Sequence, residues 1–231
     1  MATVYFDTLS RMPTKPAARR PGRPRAGDAP VSVDAMLAAA LRAFATHGYD
    51  GVSVGALCRE LGVSHNLLHQ RFGSKDGLWH AAVDWGFGGL ADELSRATDP
   101  TLSDPLDQLE AILRRFLEVS AERPELVGLM NLEGRESSER LTYLYDRYVE
   151  PITAPVARVL EHLAAEGRIR PISGRAFHFL VAHGAAAPFT LQALAREIEP
   201  SDPLDPVERA AYIDMVVEVV LAGIRLDASG R

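Results

Sequence analysis

The stretch from Ser64 to Lys75, SHNLLHQRFGSK, gathers side chains that read surfaces rather than break bonds. Asn66 carries an adjacent donor and acceptor, the pair that matches the major-groove edge of adenine. Leu67 offers an apolar group for a thymine methyl. His65 and His69 can donate hydrogen bonds, and Lys75 is a compact positive charge suited to a phosphate. His65 and Asn66 are expected on bases and Lys75 on a phosphate. Ser53 and Ser64, at the starts of two short helices, complete the set.

A second cluster lies upstream. Residues 19–25 read RRPGRPR, with Arg19, Arg20, Arg23 and Arg25 around Gly22 and Pro24. Proline keeps a backbone extended, glycine lets it approach closely, and arginine is drawn into a narrow A·T-rich minor groove. Gly22-Arg23-Pro24 resembles the core of an AT-hook. The sequence leaves two readings open, minor-groove recognition and plain attraction to phosphate. Residues 1–25 carry a net charge of +5 within a chain of net charge -6. Residues 26–80 are near neutral at -1, and the remainder holds -10. Any attraction to a polyanion must therefore be local.

Other chemistry finds little support. The seven histidines include His178 and His183, five residues apart, a poor match to the four-residue spacing that sets two metal ligands on one helix face. No metal and no cofactor is expected. The single cysteine, Cys58, cannot form an internal disulfide and reads as a small buried apolar residue. No nucleophile motif and no phosphate-cradling glycine loop is present, so the chain is not expected to be an enzyme. No membrane span and no signal peptide is expected, which favours a cytoplasmic protein.

The elements that must position these residues are helical. Residues 1–31 are rich in proline and read as a disordered arm. Val33, Met36, Leu37, Ala40, Leu41 and Phe44 then recur at helical spacing behind Ser32. Two short helices follow, joined at Gly62 and Val63, with Leu57, Val63 and Leu68 turned inward. A short glycine-containing turn lets the first helix brace the second at a fixed angle, which a helix entering a major groove requires. Longer helices are expected over 74–97, 104–121, 124–135, 137–167, 173–199 and 205–226. The fold class is all-α: a three-helix helix-turn-helix domain over 32–80 and a helical effector-binding and dimerisation domain over 81–231.

Residues 38–83 resemble the TetR family of bacterial repressors. The shared pattern is carried by Phe44, Gly48, Ser53, Gly62, Val63, Ser64, Leu68, Phe72, Ser74, Lys75 and Leu78. His69 stands where that family usually has a phosphate-contacting tyrosine, so the departure touches operator choice rather than fold. The resemblance implies a repressor that binds double-stranded DNA at a palindromic operator as a homodimer and releases it on binding a small molecule. It also implies a cavity among the middle helices. Phe116, Met130, Glu133, Arg135, Tyr143, Phe177 and His178 are the candidate lining, and the effector is expected to be largely apolar. The expected dimer surface is Phe177, Leu180 and Val181 with Ile213, Val217, Val220, Leu221 and Ile224, paired as a four-helix interface. Two rival readings stay open: an enzyme or small-molecule carrier on the same scaffold, and an activator or architectural DNA binder.

Overall fold

The computed structural model describes residues 31–97 and 104–226. Arg19, Arg20, Arg23 and Arg25 lie outside the described residues. The first helix, α1 (Val33–Gly51), starts where Ser32 Oγ accepts the amide of Ala35 at 3.1 Å. That bond satisfies one of the free donors at the helix start. α1 buries Met36, Leu37, Ala40, Leu41 and Phe44, the stripe read from spacing. Two short helices follow, α2 (Val54–Leu61) and α3 (His65–Phe72). Between them Gly62 sits at φ +66°, a left-handed backbone that a side chain would strain. Leu57, Cys58 and Leu68 are buried beneath the turn, and Val63 is half-buried.

α4 (Lys75–Phe87) starts behind Ser74, whose Oγ accepts the Gly77 amide at 2.9 Å. The helix expected over 74–97 breaks at Gly88 and Gly89, the latter at φ +79°, and resumes as α5 (Leu90–Ala97). α6 (Pro105–Glu122) and α7 (Pro124–Glu133) follow, each with proline in its first turn, where a missing amide proton costs nothing.

The segment expected over 137–167 is α8 (Glu139–Leu144), a wider π-helical turn over Tyr145–Val149, and α9 (Glu150–Ala165). Pro151 has no N–H to return to the preceding turn, and the hydrogen-bond pattern widens just before it. The segment expected over 173–199 is more broken. It comprises α10 (Gly174–His178), a π-helical stretch over Phe179–Ala185, α11 (Ala187–Thr190) and α12 (Gln192–Ile198). Pro188 accounts for the break in the same way. α13 (Pro206–Ile224) is continuous. Among the described residues the only strand-like pairing is Ile169 with Arg225, which ties the end of α13 to the loop after α9.

Two apolar clusters hold these helices. One joins α1, α2, α3 and α4 to α5, α7 and α8, so it crosses the expected domain border at 80/81. The other joins α6, α9, α10, α11 and α13. α4 packs chiefly on α1, and α1 in turn on α7. The exposed Trp85 indole donates from Nε1 to Asp34 Oδ1 at 3.1 Å, fastening α4 to the first turn of α1.

The fit at Gly86 is tight. A methyl there would lie 2.5 Å from Leu41 Cδ2 on α1 and 3.0 Å from Leu126 Cδ2 on α7. Gly86→Ala should destabilise the fold by about 1–3 kcal/mol through overpacking, outweighing the ~1 kcal/mol that alanine contributes to helix propensity. Urea unfolding should show a lower midpoint at unchanged slope. An unchanged or raised midpoint would show that Leu41 and Leu126 yield freely.

Candidate nucleic-acid interface and ligand cavity

α3 presents one side to solvent. His65, Asn66, His69 and Gln70 are exposed along it, and Arg71 is exposed beside them. Leu68 is buried, and Leu67 and Phe72 are half-buried against the first cluster. Leu67 therefore has only part of its side chain free for a thymine methyl. Ser53 Oγ accepts from the Ala56 amide and Ser64 Oγ from the Leu67 amide. Each hydroxyl keeps its own proton to donate outward. Gln70 was not singled out from the sequence, although it lies four residues after Asn66 and shares its face.

Lys75 stands at the first position of α4. Its Nζ is 3.4 Å from the Asp50 carbonyl and 4.7 Å from the centre of the Tyr49 ring. The Arg140 guanidinium lies over the same ring at 4.1 Å. Both contacts are cation–π in kind. Burial raises the Tyr49 pKa, with Asp76 adding to it. Arg140 is held in turn by both carboxylate oxygens of Glu133, at 3.2 and 3.1 Å, and Glu133 is almost wholly buried. A chain of contacts thus runs from α7 to the expected phosphate site.

The cavity lies between α5, α6, α7, α9 and α10 and measures about 1060 Å³ with its open mouth included. Of the residues expected to line it, Phe116, Met130, Phe177 and His178 do so. Glu133, Arg135 and Tyr143 do not. Glu133 faces Arg140 instead, and Arg135 is exposed just past the end of α7. The Tyr143 hydroxyl donates to Asp84 Oδ1 at 2.5 Å. Tyr148 takes the lining position, and its hydroxyl donates to the same Asp84 oxygen. Burial, then the hydrogen bond to Asp84, pushes the pKa of both phenols up.

Further lining comes from Leu90, Leu94, Ser120, Arg123 and His183, and from Phe87 at the end of α4. Ser120 Oγ donates to the Phe116 carbonyl, so its proton is already used. His183 Nδ1 is 2.6 Å from Asn131 Oδ1. Burial lowers the pKa of His178 and His183, and His183 lowers that of His178 further. Both imidazoles are therefore neutral near pH 7.

The expected dimer residues are placed differently from the expectation. Phe177, Val181, Ile213, Val217, Val220, Leu221 and Ile224 are all buried in the second cluster, inside a single protomer. Only Leu180 faces solvent, at 47% exposure. The reason is that α13 is apolar on more than one side. The outward side bears Val207, Ala211, Met215 and Val219 at four-residue intervals. No helix among the described residues is long and apolar enough to cross a membrane.

Residues 36–82 match the family model "Bacterial regulatory proteins, tetR family", and residues 105–220 match "Tetracyclin repressor-like, C-terminal domain". The chain is 31% identical over 129 residues to the HTH-type transcriptional regulator BetI of Rhizobium meliloti, covering 54% of this chain and 63% of that protein. It is 26% identical over 168 residues to BetI of Stenotrophomonas maltophilia, covering 65% of this chain and 82% of that one. In structure it resembles a Clostridium perfringens protein described as a fatty acid metabolism regulator. The TM-score is 0.63 at 20% identity, over 83% of this chain and 99% of that one.

The Glu133–Arg140 pair generates a stability prediction. Arg140→Ala should cost about 1–3 kcal/mol, because buried carboxylate oxygens lose their donors. Adding Glu133→Gln should restore part of the loss by removing the stranded charge. Urea unfolding of both variants checks this, and full stability in Arg140→Ala would show that Glu133 needs no partner.

Proposed function

The chain belongs to the TetR family of bacterial regulatory proteins, and we propose that it is a ligand-responsive transcriptional repressor that binds a palindromic operator as a homodimer. The observation that carries the proposal is α4, which reaches from one candidate site to the other. Its first residue, Lys75, stands beside the recognition helix, and its last, Phe87, lines the cavity. Asp84, one turn before Phe87, bonds to Tyr148 in the cavity wall. A ligand that prefers a different Tyr148 position would shift α4 and, with it, the phosphate-binding end. Release of DNA requires that preference, since equal affinity for both arrangements moves nothing.

On this reading His65, Asn66 and Gln70 meet bases, while His69, Lys75 and the hydroxyls of Ser53 and Ser64 hold phosphates. The arm supplies positive charge that the helix-turn-helix lacks. The relatives that match the chain are named transcriptional regulators, which supports a regulator rather than an enzyme. The protein acts in the cytoplasm, on DNA and on an apolar effector.

Fluorescence anisotropy across a salt series tests the DNA contacts. Asn66→Ala should cost about 1–3 kcal/mol on the preferred operator and little on random DNA. Lys75→Ala should weaken both and lower the slope of log affinity against log salt by about 0.9. Deleting residues 1–25 should lower that slope further. If arginines enter the minor groove, changing flanking A·T pairs to G·C should weaken the intact chain alone. Equal losses on operator and random DNA for Asn66→Ala would remove its base-reading role, and identical salt slopes with and without residues 1–25 would leave the arm no DNA role.

The dimer surface consists of the outward stripe of α13 with Leu180. Two copies place two recognition helices about one DNA turn apart, ~34–36 Å. Val219→Glu, on the exposed side of α13, should give folded monomers by light scattering and abolish operator binding. A dimeric, DNA-competent Val219→Glu protein would exclude this surface.

A further inference from the structure

We propose that the cavity binds a single long-chain amphiphile with an anionic head group, its chain lying along α6 and its head at Arg123. This rests on reading the cavity as the effector site, and it names the class of effector.

The argument starts from the shape of one wall. Leu109, Leu113, Phe116, Val119 and Arg123 line the cavity from α6 and the residue that ends it. They recur at three- and four-residue spacing, so they form one continuous stripe. From Leu109 to Arg123 there are fourteen residue steps, about 21 Å at ~1.5 Å per residue. An extended hydrocarbon advances about 1.25 Å per carbon, from tetrahedral geometry and ~1.5 Å bonds. The wall therefore accommodates roughly 14 to 18 carbons.

Charge lies at one end of that wall. Among the described residues that line the cavity, Arg123 is the one arginine or lysine, and burial lowers the pKa of His178 and His183, which favours their neutral forms. Its Nη2 donates to Glu93. Its Nε and Nη1 bond to nothing within the described protein, so donors remain for an incoming anion without Glu93 leaving. Glu93 is shared with Arg115, and Glu118 and Glu122 pair with Arg115 rather than with Arg123. Among the described residues no carboxylate lines the cavity to receive a cationic head. A carboxylate and a phosphate monoester both fit this description, and their shared feature is an anionic oxygen on a long chain.

The test is calorimetric titration of the full chain, without DNA and below micelle formation. The probes are octanoate, dodecanoate, palmitate, hexadecyl phosphate, hexadecanol and hexadecyltrimethylammonium. Affinity for carboxylates should rise about fourfold per methylene up to roughly 16 carbons. Palmitate or hexadecyl phosphate, whichever head fits, should bind at least tenfold tighter than hexadecanol, and the ammonium weakest. Arg123→Gln should abolish the anionic preference while hexadecanol still binds, which shows the cavity intact. Arg123→Lys should restore the preference in part. The proposal falls if octanoate binds as tightly as palmitate, if the preference survives Arg123→Gln, or if His178→Gln removes it instead. Operator release is measured separately. Palmitate binding without release breaks the repressor reading and leaves this one standing. Release by short ligands without chain binding does the reverse.

Discussion

The helix-turn-helix half and its join to the rest of the described fold depend on the packing of α4 on α1, which packs in turn on α7. The buried side of α4 carries Leu78, Trp79, Ala82, Val83, Gly86 and Phe87, and at Gly86 a methyl group would press on Leu41 and Leu126. Two leucines from two other helices meet at that gap. The consequence is mechanical. A helix packed this closely cannot bend locally to absorb a displacement, because packed interiors resist volume change. It moves as a body or not at all. A shift at Phe87 is therefore felt at Lys75.

Polar contacts give that body two sets of handles. At one end the Asp84 carboxylate gathers the hydroxyls of Tyr143 and Tyr148. At the other, Tyr49 lies beneath Lys75 and Arg140, and Arg140 is anchored to Glu133. Each set joins α4 or its neighbour α1 to helices of the effector half. Apolar packing tolerates sliding, whereas directional bonds to carboxylates, half-exposed Asp84 and buried Glu133, do not. The two sets therefore restrict the positions α4 can take to few, which a switch needs.

The DNA-facing half was the more legible in sequence, for local reasons. Ser32, Ser53, Ser64 and Ser74 each cap the helix that follows, and a cap needs only its own next three residues. Gly62 marks its turn because glycine alone adopts that backbone freely. The effector half depends on which side of an apolar helix meets which neighbour, and spacing does not say. α13 is apolar on two sides, so the residues expected at the dimer surface are buried within one protomer, while Met215 and Val219 face outward. Glu133 and Tyr143 were polar groups in the right region, but each turns to a partner on another helix. The break at Gly88 and Gly89 was legible in principle, since paired glycines interrupt a helix; the π-helical stretches before Pro151 and Pro188 were not, beyond the prolines themselves.

The only two tryptophans of the chain, Trp79 and Trp85, both lie on α4. Trp79 is fully buried, edge-on to His80 and Tyr143, while Trp85 is partly exposed and bonded to Asp34 beside the residue that starts α1. Their emission therefore originates entirely from the element that spans the two sites. Trp79 emits from a dry environment next to Tyr143, and Trp85 from a wetter one beside Asp34. The protein thus carries its own optical gauge, with a blue component from the buried indole beside Tyr143 and a red component from the exposed indole at Asp34, and no label has to be attached to watch one helix move.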